Sequence, residues 1–224
     1  MPASYRPTSR EELARLFGLP LPDGEWAQEA AEDSLVPIVI QGEDGRPRVV
    51  LASFGMVPKD RVPPNARHFA TTSAPAETID EKRSYRVSWQ KGFRCLVPMT
   101  ALYETSYEHG KPERYAIGLP DGAPFAVAGI WRPWLTHDGE WRPWHGSEAG
   151  HTFSFSHITV NADNHPVMRR MRKPGAEKRS LVIVAAADHA GWLSADQPQT
   201  AHSYLALPDA ESLAAQPAAG QRTA

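Results

Sequence analysis

The chain has 224 residues, a formal net charge of −2 and a hydrophobic fraction of 41%, enough apolar sequence to bury a sizeable core in one domain. It contains no apolar run near the eighteen or so residues of a membrane helix and no charged-then-apolar leader, which points to a cytoplasmic protein with no membrane partner. A single cysteine, Cys95, leaves no partner for an internal disulfide and no means of building a cysteine zinc cluster.

Residues 1–8 read as an extended arm. Ser9-Arg10-Glu11-Glu12 has the spacing of a capping box, with Leu13, Leu16 and Phe17 on one helical face and Gly18 as the stop. Leu35–Gln41 and Arg48–Phe54 are strand-like runs joined by the polar turn Gly42-Glu43-Asp44-Gly45, a hairpin. From Lys59 to Pro75 proline recurs without periodicity, which predicts a surface-crossing loop. Thr78-Ile79-Asp80-Glu81 has capping-box spacing again and predicts a helix holding Tyr85 and Trp89 before Gly92.

Arg94–Pro98 predicts a buried strand running on through Met99–Glu104. Tyr115–Ile117 and Ala123–Ile130 predict a hairpin turning at Pro120-Asp121-Gly122. Trp131-Arg132-Pro133-Trp134 and Trp141-Arg142-Pro143-Trp144 predict paired strands, whose indoles serve either cross-strand packing or base stacking. Thr152–Thr159 alternates as a strand. Ser180–Ala187 is apolar throughout, Asp188 opens a short helix through Trp192 and Leu193, and Tyr204–Leu207 predicts a last edge strand. The division expected is one domain over residues 1–208 and a flexible tail over 209–224. With 21 Pro and 16 Gly spread along the sequence, frequent hairpins and few helices, the expected class is α+β. The architecture is a curved, barrel-like antiparallel sheet flanked by a few short helices.

Two places carry chemistry. The stretch 163–179 holds six Lys or Arg against two Asp or Glu, a local concentration that suits phosphate or nucleic acid, with a solvated basic loop as the ordinary alternative. Its His165, taken alone, is as compatible with a hydrogen-bonded structural residue as with a proton carrier. Glu104 ends an apolar strand behind Leu102 and Tyr103, where desolvation would suit general acid or base work, and an ion-paired strand end is the alternative. Serine-hydrolase, phosphate-loop, dinucleotide and zinc-protease motifs are absent from the sequence. Cys95 lies inside an apolar strand and reads as packing.

In order along the chain stand Tyr5-Arg6-Pro7, Phe54-Gly55-Met56-Val57-Pro58, Glu77-Thr78 with Glu81-Lys82, and Arg94-Cys95-Leu96-Val97-Pro98 with Tyr103-Glu104. Ala128-Gly129-Ile130-Trp131 follows, then Thr159-Val160-Asn161-Ala162 running through His165-Pro166 to Lys173-Pro174-Gly175 and Glu177-Lys178-Arg179. Together, over roughly residues 1–195, they resemble the SOS-response-associated peptidase (SRAP) family. That resemblance implies a DNA-damage-response protein that senses abasic sites in single-stranded DNA. It further implies the chemistry of the family's members, in which a cysteine bared by removal of the initiator Met crosslinks the sugar aldehyde as a thiazolidine, with an Asn, a Glu and a His assisting. Carried over, the Glu is Glu104 and the His is His165.

Other positions depart from the family pattern. The cysteine position holds Pro2, and the Asn position falls on Ser73, with Asn65 as the alternative if the intervening loop is shifted. A thiazolidine needs an amine and a thiol on one residue, so Pro2 forbids that product. The bared Pro2 would instead be a secondary amine with a pKa of about 8, able to form an iminium with the aldehyde and to lead to lyase-like cleavage. The alternative is a weakened relative that shields single-stranded DNA without covalent chemistry. The expected site is therefore Pro2, Glu104, His165 and Ser73, with Arg6, Arg169, Arg170 and Lys173 contacting DNA. No cofactor and no metal are expected, peptidase activity is expected only for removal of Met1, and the protein is expected to be a monomer, associated with the nucleoid when bound to DNA.

Overall fold

The computed structural model describes residues 4–62, 65, 67, 69–134 and 152–218. Within them the strands are β1 (Ser4–Pro7), β2 (Leu35–Gln41), β3 (Pro47–Phe54), β4 (Ser73–Pro75), β5 (Arg94–Ser106), β6 (Glu113–Gly118), β7 (Phe125–Trp134), β8 (Thr152–Asn161), β9 (Arg179–Leu181), β10 (Ile183–Val184) and β11 (Ala214–Pro217). The α-helices are α1 (Arg10–Phe17), α2 (Arg86–Gln90), α3 (His189–Ser194) and α4 (Pro198–His202).

Local signals explain α1 fully. Ser9 Oγ accepts from the Glu12 N–H at 3.2 Å, Glu12 Oε2 accepts from the Ser9 N–H at 2.7 Å, and Gly18 closes the helix at φ 63°. The second predicted capping box does not form. The Glu81 and Lys82 N–H groups bond instead to the Thr78 carbonyl, the Thr78 hydroxyl is buried without a partner, and α2 starts only at Arg86. The buried Arg94 then takes over the capping of α2 from the other end. Its guanidinium donates to the Trp89 and Ser88 carbonyls at 2.8 and 3.4 Å and lies 3.9 Å over the Trp89 ring, while burial lowers its pKa to about 10.

The sheet runs β10-β7-β8-β3-β2-β5-β6-β11, and an added β5–β7 pairing joins β7, β8, β3, β2 and β5 into a closed ring. This is the curved, barrel-like α+β fold expected. Two of its pairings, β3–β8 and β4–β8, are parallel, a departure from the all-antiparallel expectation. Strands buried on both faces explain the continuous apolar runs. Ile38 and Ile40 with Cys95 and Val97 belong to one core, while Val39 and Leu96 belong to a second that receives Leu13, Trp89 and Trp192 from α1, α2 and α3. Gly129 is required where β7 crosses β5, because a Cβ there would lie 2.7 Å from Cys95 Sγ and 3.0 Å from the Ser156 carbonyl. Cys95 is fully buried and burial pushes its thiol pKa well above the usual range, in keeping with a packing role.

Other segments differ from the sequence expectation. The loop Lys59–Pro75 ends in β4, the predicted strand Ser180–Ala187 breaks at Val182 into β9 and β10, and Tyr204–Leu207 is not a strand. The edge position is taken by β11, which lies in the stretch expected as tail. Leu213 is buried in the core and Ala214–Pro217 pair with β6, which draws residues 209–217 into the fold. Trp131–Trp134 belong to β7, and the second tetrapeptide, Trp141–Trp144, lies outside the described residues.

Candidate functional site

β5 carries Glu104 between two partners: Glu104 stands opposite Tyr115 of β6, and on the other side Ser4 of β1 stands opposite Tyr103. β4 brings Ser73 alongside His157 of β8. The result is a small cleft lined by Ser73, Leu102, Glu104, His157, Thr159, Arg172 and Arg179. Its volume, about 20 Å³, is that of roughly one water molecule. Glu104 and Ser73 thus line one cleft. The Ser73 hydroxyl hydrogen-bonds Thr159 Oγ1 at 3.0 Å, and its carbonyl accepts from the Tyr85 hydroxyl at 2.9 Å. Asn65 is exposed and is not among the residues lining the cleft.

His165 is placed differently. It is buried, its Nδ1 accepts from the Val167 and Met168 N–H groups at 3.2 and 3.1 Å, and Nε2 lies 3.0 Å from the Pro208 carbonyl. With Nδ1 accepting from two N–H groups, Nε2 is the nitrogen that donates to the Pro208 carbonyl, and the ring braces its own turn against the chain after α4. It is not among the residues lining the Glu104 cleft.

The residue of that stretch that meets Glu104 is Arg172. Met168 and Met171 anchor the turn in the core, Met171 bridges to Ser106, and the Arg172 N–H bonds the Thr105 carbonyl at 2.6 Å. Arg172 itself adopts φ 62°, a left-handed conformation rarely taken by a residue with a Cβ. Its Nε and Nη2 both reach Glu104 Oε1 at 3.3 Å.

Two further cleft residues escaped the sequence reading. Arg179 is buried and ties β9 to β8 and to the turn that follows β4: it donates to Glu77 at 2.7 Å, to Glu177 at 2.8 Å and to the Thr159 carbonyl at 2.5 Å. Partial burial works to raise the Glu77 pKa, but the Arg179 bond and the Asn161 N–H outweigh it and hold the carboxyl below its usual value. His157 is 1% exposed, its Nε2 has no partner, and burial alone lowers its pKa to about 3. Alternation in β8 announced that half its residues would face inward, but nothing marked His157 as one of the cleft side.

Beside the cleft runs an open groove of about 330 Å³ lined by Tyr107, Glu108, Arg169, Arg170, Arg172, Pro174, Gly175 and Lys178. Arg169 is exposed, whereas Arg170 pairs with Glu108 at 2.7 Å. Lys173 is exposed but does not line this groove, and Lys178 Nζ donates to the Arg172 and Lys173 carbonyls at 3.2 and 2.9 Å. Arg6 is exposed on β1 with its guanidinium 5.9 Å from the Tyr103 ring centre. Pro2 lies outside the described residues. Among the described residues no cluster of three His, Cys, Asp or Glu side chains suits a metal ion, and no helix is long and apolar enough to cross a membrane.

Comparison with known proteins places this architecture. The model of the SOS response associated peptidase (SRAP) family matches residues 7–221. The abasic site processing protein HMCES of Pongo abelii is 28% identical over 144 residues, 55% of this chain and 40% of that protein. The abasic site processing protein YoaM of Bacillus subtilis is 29% identical over 126 residues, 53% of this chain and 52% of that protein. The matches therefore span about half the length of these relatives. A crystal structure from Bordetella bronchiseptica has the same fold, with a TM-score of 0.80 and 22% identity over 98% of this chain and all of the other. One from Bacteroides thetaiotaomicron follows at a TM-score of 0.70 and 20% identity, over 96% and 90% of the two chains. With a family match across nearly its whole length and that fold, the chain belongs to the SOS response associated peptidase family.

Proposed function

We propose that this protein acts in the DNA-damage response by binding single-stranded DNA and processing abasic sites, with Pro2 as the group that meets the ring-opened sugar. The observation that carries the reading is the meeting of three features at one end of β5: Glu104, the start of β1 and the basic groove. Ser4 is held opposite Tyr103, so the described N-terminal strand begins at a position adjoining Glu104. The names of the two relatives, both abasic site processing proteins, support the substrate class.

The chemistry follows from the residue types. After loss of Met1, the Pro2 secondary amine adds to the C1′ aldehyde, and loss of water gives an iminium. Glu104 is suited to take the C2′ proton, upon which the 3′ phosphate leaves by β-elimination. With no thiol on the same residue, the iminium is not trapped as a ring. Arg6, Arg169, Arg170 and Lys173 are proposed to contact backbone phosphates, and Ser73 to orient the sugar. His165 is proposed to brace the turn that carries Arg169, Arg170 and Lys173.

The test is an oligonucleotide bearing an abasic site incubated with the protein and borohydride, then examined by denaturing gel and intact mass. A reduced adduct on Pro2 is expected, strongly diminished when Met1 is retained. An adduct unaffected by the retained Met1, or no adduct at all, refutes the iminium. A second reading, binding and shielding without a covalent bond, is favoured by the Glu104–Arg172 pair and the main-chain commitment of His165. Tight binding to abasic single strands with no borohydride adduct is its signature.

A further inference from the structure

Arg172 belongs to two places at once. It lines the small cleft with Glu104 and the open groove with Arg169, Arg170 and Lys178. Its main chain is fixed by the short bond to the Thr105 carbonyl and by the left-handed backbone, so the Cα does not choose between the two. Its side chain is held far more loosely. Both contacts to Glu104 go to one oxygen at 3.3 Å, and the third, from Nη1 to the Glu177 carbonyl, is 3.4 Å long. Elsewhere in this molecule paired guanidiniums approach closer: Arg170 meets Glu108 and Arg179 meets Glu77 at 2.7 Å each.

A well-formed Arg–carboxylate pair uses both oxygens at roughly 2.7–2.9 Å, and the same fork matches a phosphate. The Arg172 side chain is 33% exposed and that of Glu104 only 14%. The guanidinium therefore sits as a lid between the carboxylate and the groove.

We propose that Arg172 is a phosphate-binding switch: it rests on Glu104 in the free protein and turns to a backbone phosphate of single-stranded DNA lying in the basic groove, uncovering the Glu104 carboxylate. This rests on the single-strand reading above and adds to it a residue, a ligand group and an order of events. Phosphate engagement comes first and the carboxylate is freed by it, so Glu104 is exposed to water and substrate only once DNA is seated. Arg172 acts on the chemistry through Glu104 and is a positioning residue.

The consequence is competition between Glu104 and DNA for one guanidinium, which binding can read without any chemistry. The probe is a fluorescent single strand carrying a tetrahydrofuran abasic analogue, which has no aldehyde, titrated by anisotropy at several salt concentrations. Glu104→Gln removes the competitor and is expected to tighten binding about three- to tenfold. Arg172→Gln is expected to weaken binding and to reduce the slope of log affinity against log salt by about 0.7, the value for one phosphate contact on a single strand. In the Arg172→Gln protein, adding Glu104→Gln should change nothing. Arg172→Lys, which keeps the charge at the same left-handed position, should retain the slope, separating loss of a contact from a misfolded turn.

Tightening by Glu104→Gln that persists without Arg172 is simple repulsion between carboxylate and phosphate, and overturns the proposal. So does a Glu104→Gln protein that binds as the wild type does. In both cases the single-strand reading stands. A wild-type protein that does not bind the probe overturns that reading and the switch together.

Discussion

Replacing His157 with leucine should make the protein markedly less sensitive to mild acid. The imidazole is 1% exposed and enclosed by the rings of Tyr5, Phe54 and Phe155 at 4.9, 4.7 and 5.8 Å. Burial lowers its pKa to about 3, against about 6.5 in an unfolded chain. The unfolded chain therefore takes up a proton that the folded one refuses. Stability is complete above the unfolded value and falls as pH drops below it. Between pH 7 and pH 5 the loss from this one group is about 2 kcal/mol, or roughly 4–8 °C in Tm for a protein of this size. Thermal unfolding followed by circular dichroism at pH 7, 6 and 5 checks it for wild type, His157→Leu and His157→Phe. The two variants differ in volume, so packing errors shift their curves vertically without changing the slope. His189, whose pKa burial also lowers, is present in all three proteins and cancels. Parallel pH dependence in wild type and both variants would refute the argument, because it would mean that His157 is protonated equally in both states.

Three other outcomes are expected. Arg94→Ala removes a buried guanidinium from the Trp89 ring and two α2 carbonyls, and should destabilise by about 3 kcal/mol in urea unfolding. Gly129→Ala places a methyl against Cys95 Sγ and the Ser156 carbonyl, costing about 1–3 kcal/mol. Adding Cys95→Ala should recover part of that loss and no more, because the carbonyl contact remains. Replacing Arg169 and Arg170 together by Gln should flatten the salt slope of single-strand binding by about 1.4, two contacts at about 0.7 each, while leaving Tm within about 1 °C, as expected of changes near the surface.

What could be read in the sequence was what local chemistry decides. The α1 cap is settled by Ser9 and Glu12, three residues apart, and the β2–β3 hairpin by Gly45 at φ 74° in its turn. What could not be read depends on partners far along the chain. The edge of β6 is taken by Ala214–Pro217 and not by the more strand-like Tyr204–Leu207, because Leu213 finds a place in the core. Glu104 is marked by its own strand and by the family resemblance, which sets His165 beside it, whereas the side chain that pairs with it in the fold is that of Arg172. The direction in which that stretch presents its side chains is set by the left-handed Arg172 and its bond to Thr105, neither of which leaves a mark in residue types. His157 was passed over for a related reason: its contact with Ser73 arises from a parallel β4–β8 pairing, which no hairpin signal announces.

Ring closure through β5 and β7 also bears on how the protein behaves in concentrated solution. A sheet margin with free N–H and C=O groups is a template for pairing with another copy, and aggregation starts there. Here the long apolar strands are consumed by the ring, and the sheet path ends in β10, two residues long, and in β11, four residues closed by Pro217, which has no N–H to offer. The same pairing that shapes the core thus keeps the most aggregation-prone sequences of the chain, Ile38-Val39-Ile40 and Cys95-Leu96-Val97, from meeting their like in a neighbouring molecule.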